Sequence, residues 1–141
     1  MNRREFAVAL AVMGAAIGAE GQDAGTLGGS KVFASALTKT SNGSERWVVL
    51  DGTLATGEAV SMHESVVPAG TAKSAAHVIK HSELIVVVDG TLSFQHDGVV
   101  DTAHAGSVIY VAYGTEHLVW NSGDSTARYF VLQMGGDTKK A

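Results

Sequence analysis

Beyond its first 26 residues the sequence predicts an all-β fold, a sandwich, barrel or jelly roll of short antiparallel strands. Three observations predict it. Short runs rich in Val, Ile, Thr, Phe and Tyr recur at intervals of about ten residues. Clusters of Gly, Asn and Asp separate them, and no stretch outside the N-terminus suggests a helix.

The elements follow in order. Residues 32–37 (VFASAL) and 46–50 (RWVVL) are the first two predicted strands. Residues 59–67 (AVSMHESVV) form the third, and Pro68, the single proline, falls at its end, where a missing N–H does little harm. Residues 84–88 (LIVVV) form a continuous apolar run that reads as a buried strand. Strands at 91–96, 107–111, 117–120 and 128–133 complete the set. Hairpin-type turn signals stand at Asp51-Gly52, Asp89-Gly90, Asp97-Gly98 and Ser122-Gly123-Asp124.

Composition excludes several function classes. The chain has 141 residues, 45% of them hydrophobic and 17% charged, which suits one globular domain with one core. Ten Lys and Arg face fourteen Asp and Glu with no internal basic run, so the electrostatic footprint of nucleic-acid binding is missing. The absence of cysteine removes disulfides, thiolate metal sites and a cysteine nucleophile together. Any metal must be held by nitrogen and oxygen. Neither a G-x-S-x-G elbow nor a G-x-G-x-x-G loop occurs, so acyl transfer and dinucleotide chemistry have no support.

The N-terminus pairs Arg3 and Arg4 ahead of an Ala/Val/Gly-rich run to about Ile17. It resembles a twin-arginine export signal, followed by the linker composition GQDAGTLGGS. Residues 1–26 are assigned to signal and linker and 27–141 to the domain, so the protein is expected to be exported, with no membrane attachment in the mature form. Removing residues 1–18 takes two arginines and Glu5, leaving eight basic residues against thirteen acidic ones, a formal charge of −5. By resemblance, this route carries proteins that fold and often take up a cofactor before export.

The stretch AHVIKHSELIVVVDG (76–90) holds His77, His81 and Glu83 at spacings of four and two. All share one parity, so an extended chain would point them to one face. At about 3.3 Å per residue, however, His77 and Glu83 would lie roughly 20 Å apart, too far to share an ion with bonds near 2 Å. The chain must bend between them, and Lys80-His81-Ser82 is the polar piece suited to do it.

Two motifs then carry a family resemblance. Gly106, Ala112-Tyr113-Gly114, His117 and Asn121 reproduce the offsets of the second cupin motif, with Ala112 in place of its proline. Upstream, Gly70, His77, Glu83 and Gly90 are similar to the first cupin motif, except that Ile79 replaces its second histidine. The resemblance covers residues 70–133 and implies the cupin double-stranded β-helix, a jelly-roll barrel. It also implies a mononuclear metal held by His77, His117 and Glu83, with His81 swinging into the place that Ile79 leaves vacant. Two alternatives stay open beside this: a site that has lost its metal and binds a sugar or nothing, and His81 as a solvated loop histidine. His63, His96 and His104 are expected to be structural or exposed.

His77, Glu83 and His117 alone would suit iron, whereas three imidazoles with His81 suit copper or zinc. Copper is favoured by intrinsic affinity, with iron, manganese or zinc as alternatives. Glu83 would ligate or exchange a proton as the catalytic residue, Tyr113 would sit at the rim and touch substrate, and Gln95, Gln133 and Asn121 would support from an outer shell. Trp120 has the parity opposite His117 and is expected outside the barrel. By its overall form the chain looks like a small exported copper cupin that oxidises cellulose, so the leading expectation is a copper-dependent oxidoreductase acting with O2 or H2O2 on an extracellular polysaccharide. A cupin that binds sugar or another small ligand without turnover, and an iron or manganese dioxygenase or isomerase on a small molecule, remain alternatives. The resemblance further implies a homodimer joined through residues 32–37.

Overall fold

The computed structural model describes residues 25–138; the expected signal, at 1–18, lies outside the described residues. Those residues form eleven strands, and no helix occurs among them. In chain order these are β1 (Gly25–Thr26), β2 (Ala36–Ser41), β3 (Ser44–Thr53), β4 (Ala59–Val67), β5 (His77–Val78), β6 (Ser82–Asp89), β7 (Thr91–His96), β8 (Val99–His104), β9 (Val108–Val111), β10 (Glu116–Asn121) and β11 (Ala127–Met134).

Two sheets pack face to face. The seven-stranded sheet runs β1-β3-β4-β11-β6-β9, with β2 added to β3, and the four-stranded sheet runs β5-β10-β7-β8. All neighbours pair antiparallel except β1 with β3. Between the sheets lies an apolar cluster that includes Ile79, Ile85, Val87, Leu92, Phe94, Ile109, Val111 and Val131. Leu92 and Val111 have no exposed surface at all, and burying one such side chain stabilises by about 1.5–3 kcal/mol.

Strands 59–67 and 91–96 stand where the sequence places them, and the other predicted strands recur with shifted ends. The hairpin signal at Asp97-Gly98 holds between β7 and β8, whereas Asp89-Gly90 and Ser122-Gly123-Asp124 carry the chain from one sheet to the other and close no hairpin. Asp97 and Gly98 both adopt positive φ, 47° and 77°, as a tight primed hairpin turn requires. At Gly90 the φ of 83° and a Cα of Ala127 only 2.8 Å from where a Cβ would stand make glycine necessary.

Four further local expectations are corrected. Asp51-Gly52 is no turn: β3 continues to Thr53, and the missing side chain of Gly52 admits the carbonyl of Gly25, which would lie 2.6 Å from a Cβ. Gly25 and Thr26, read as linker, pair with Gly52 and Thr53. The strand expected at 32–37 begins at Ala36, and Val32 is 87% exposed. A strand missing from the predicted set, β8, runs over VVDTAH, whose largely exposed residues hide its pairing with β7.

Candidate metal centre

The chain between β5 and β6 builds the site. β5 belongs to the four-stranded sheet and β6 to the seven-stranded one, so the backbone crosses between sheets through Ile79, Lys80 and His81. It bends at Lys80 and His81, within the segment where the spacing requires a bend. Ile79 joins the apolar cluster at 4% exposure, and its carbonyl accepts the N–H of Gly114 at 2.9 Å. An apolar side chain thus occupies the position of the absent motif histidine, while His81 turns inward and is buried.

Each donor is placed by its strand. His77 pairs with His117 across β5 and β10, which brings their ring centroids to 4.6 Å. The Nδ1 of His117 lies 3.1 Å from the carbonyl of Thr115. A carbonyl only accepts, so Nδ1 carries the proton and Nε2 keeps a lone pair. That Nε2 stands 4.0 Å from Oε2 of Glu83. The other carboxylate oxygen, Oε1, accepts from Nε2 of Gln133 at 3.1 Å and lies 2.9 Å from Nε2 of His81. The chain of contacts ends where Nδ1 of His81 meets Oδ1 of Asp137 at 2.6 Å. His81, Glu83 and His117 are buried whereas His77 is exposed, so the cluster opens to solvent on the His77 side.

Burial alone would lower the pKa of His81, but its hydrogen bonds to Glu83 and Asp137 outweigh that and raise it above the ordinary imidazole value. In chemical type the donors suit a cation held by imidazole and carboxylate. Two ligands of one ion, with bonds near 2.1 Å at right angles, stand about 3 Å apart, and His81 Nε2 and Glu83 Oε1 already have that separation. Among the described residues no three His, Asp or Glu side chains are yet gathered about one point. Here His81 and Glu83 are hydrogen-bonded to each other.

The remaining expected residues divide. Gln133 supports Glu83 directly. Gln95, expected behind the donors, is instead exposed, because Phe94 and His96 take the inward parity of β7. Asn121 is buried but supports the turn rather than the donors: it donates to the carbonyls of Val67 and Ser125 and accepts the N–H of Gly123, all at 2.9 Å. Tyr113 is 64% exposed in the turn before His117. Trp120 carries the ammonium of Lys73 over its ring at 4.1 Å. His96 binds Asp97 and Asp101 through its two nitrogens and stacks on Phe94.

One residue near the donors escapes sequence reasoning. Asp137 lies beyond every strand, and the doublet Gly135-Gly136 before it was the available signal. His63 carries no motif, yet it is 7% exposed, its Nδ1 is buried without a partner, and it shares a parity with Ser61 and Ser65. Ser61 donates to Asp51 and Ser65 hydrogen-bonds Tyr129, so this face is a polar lane inside the fold. Burial, reinforced by the charge of Arg46, pushes the His63 pKa down to about 4 against the opposing pull of Glu83 and Asp51.

The Cupin domain family matches residues 63–133 of this chain. No curated protein matches it. Among solved structures it is similar to an RmlC-like cupin from Methanocaldococcus jannaschii, at 14% identity and a TM-score of 0.60, over 76% of this chain and 94% of that one. It is also similar to a cupin 2 conserved barrel protein from Salinispora arenicola, at 23% identity and a TM-score of 0.54, over 67% and 78% of the two chains. A predicted oxalate decarboxylase from Thermotoga maritima matches at 15% identity and a TM-score of 0.54, over 72% and 92%. At such identities these structures speak to the fold alone. With the family match spanning the two motifs and the two-sheet fold that carries them, the chain belongs to the cupin domain family.

Proposed function

We propose that this protein is a mononuclear metal-dependent cupin oxidoreductase, with His77, His81, His117 and Glu83 as the donors. The observation that carries this reading is the convergence of His81 Nε2 and His117 Nε2 on the two oxygens of Glu83, at 2.9 and 4.0 Å. Three imidazoles favour copper over the other first-row divalent ions. When bound, such an ion would supply one-electron chemistry toward O2 or H2O2.

The chain's own residues do the rest. His117 is held in one tautomer by Thr115, and Gln133 holds Glu83 toward the histidines. Glu83 ligates, or takes and returns a proton, while buried apolar neighbours exclude water from all but the His77 side. Tyr113, exposed next to Gly114 in the turn before His117, is the proposed substrate contact. An extracellular polysaccharide such as cellulose is the proposed substrate, in keeping with the N-terminal resemblance to an export signal. The same reading takes the protein as exported and as a homodimer; a monomer by light scattering would remove the second.

The test is elemental analysis and electron paramagnetic resonance of the purified protein and its His81→Ala variant, followed by product analysis on cellulose with a reductant. About one copper per chain, lost or spectrally altered in the variant, together with oxidised sugar products, is the expected result. Iron or manganese at that stoichiometry would move the reaction to a small-molecule dioxygenase or isomerase. No bound metal after reconstitution would leave a module that binds ligand without turnover.

A further inference from the structure

The segment after β11 does more than end the fold. Gly135 donates its N–H to the carbonyl of Ala59 at 2.8 Å, and Thr138, buried at 3% exposure, donates to the carbonyl of Gly135 at 2.9 Å. Between them Gly136, at a φ of 52°, passes so close to the bend that a Cβ would stand 1.9 Å from the carbonyl oxygen of Lys80 and 3.0 Å from Cα of His81. Only glycine permits that approach. The approach delivers Asp137, whose N–H binds the carbonyl of Lys80 at 2.9 Å and whose carboxylate reaches Nδ1 of His81 at 2.6 Å. One residue therefore fixes the carbonyl of Lys80, in the peptide ahead of His81, and the ring of His81 itself.

We propose that Asp137 is the positioning residue of the site, holding the Nδ1 proton of His81 so that Nε2 faces Glu83 as a donor for the cation. Both carboxylates only accept, so each ring nitrogen carries a proton in the metal-free protein: Asp137 holds the one on Nδ1, the one on Nε2 is what a cation would displace, and the ring cannot turn Nδ1 to the site without breaking its bond to Asp137. The same arrangement, in which a carboxylate orients a ligating imidazole, raises ligand basicity and typically controls metal affinity 10–100-fold. The assignment rests on the metal-binding reading for its purpose, but the orientation of the ring does not. Asp137 acts through His81 and is not itself a ligand. Its side chain is 58% exposed, so replacing it leaves the apolar core intact.

The test uses the full chain labelled with 15N-histidine and freed of metal with chelator, as wild type and as Asp137→Asn, Asp137→Glu and Gly136→Ala. Long-range proton–nitrogen correlation reports which ring nitrogen of His81 carries hydrogen, and Cu2+ alone, in competition with a chromophoric chelator, reports affinity. The expected result is an Nδ1-protonated His81 in the wild type and altered His81 ring resonances in Asp137→Asn. Cu2+ should bind about 10–100-fold more weakly in Asp137→Asn, with partial recovery in Asp137→Glu. Gly136→Ala should reproduce the loss by displacing Asp137 from Lys80. Unchanged His81 resonances in Asp137→Asn, or a wild-type Nδ1 without a proton, would overturn the assignment. If the ring responds as expected but the wild type binds no Cu2+, the positioning role stands and the metal-binding reading falls.

Discussion

His63 predicts a specific acid sensitivity. It is buried in the polar lane of β4, and its pKa is pushed down from the ordinary 6.5 to about 4. In the unfolded chain it titrates near the ordinary value, so between about pH 6.5 and 4 the unfolded state binds the extra proton and the folded state does not. Stability must therefore fall as the pH drops through that window. For a shift of this size the two-state linkage relation gives a loss of about 2 kcal/mol between pH 7 and pH 5, and about 3 kcal/mol by pH 4. The opposite shift of His81 acts elsewhere. Its raised pKa contributes stability that is complete below 6.5 and is lost as pH rises through the folded value, so the two histidines have separate windows. The assay is urea denaturation of wild type and His63→Gln at pH 7 and pH 5 in the presence of chelator, so that metal linkage does not enter. The wild type should lose about 2 kcal/mol more than the variant between the two values. Equal losses would refute the reasoning, because they would mean that His63 is hydrated or paired in solution.

Further outcomes follow from single contacts. Gly90→Ala should destabilise by about 2 kcal/mol in thermal melts, since the new methyl meets the backbone of Ala127 at 2.8 Å with φ held at 83°. Asn121→Ala, which removes three hydrogen bonds to backbone groups, should cost about 2–3 kcal/mol while leaving Cu2+ affinity within about twofold, as dye competition would show. Ile79→His restores the motif residue but buries an imidazole in the apolar cluster, and in chelator it should destabilise by about 2–3 kcal/mol on urea titration.

Much of the fold was legible because its signals are local. Strand 59–67 shows in its composition and terminal proline, and Asp97-Gly98 in a turn chemistry that needs two positive φ angles. The edge strand β8 was not legible, since all its residues but Ala103 are exposed and its order comes from pairing with β7. Asp51-Gly52 misled for a similar reason: a turn signal yields when both flanking segments stay paired on β4. At the candidate site, His77, His81, Glu83 and His117 were named from spacing and motif, whereas the facing of Gln133 toward Glu83 came only from the pairing of β11 with β6. Gln95 failed on parity, because apolar residues on both faces of 91–96 conceal which side is inward.

The sequence by itself determined the all-β class, the cupin family and the need for a bend between His77 and Glu83. Alternation, turn residues and motif offsets are properties of neighbouring residues along the chain. Only the tertiary structure decided that Ile79 goes to the core while His81 goes to Glu83, because that choice depends on the two sheets between which the backbone crosses. It also decided the role of Asp137, which is 56 residues from His81 in sequence and 2.6 Å from it in space. No local pattern reports such a contact. It arises because β11 ends beside the bend and a glycine without a side chain lets the two backbones touch.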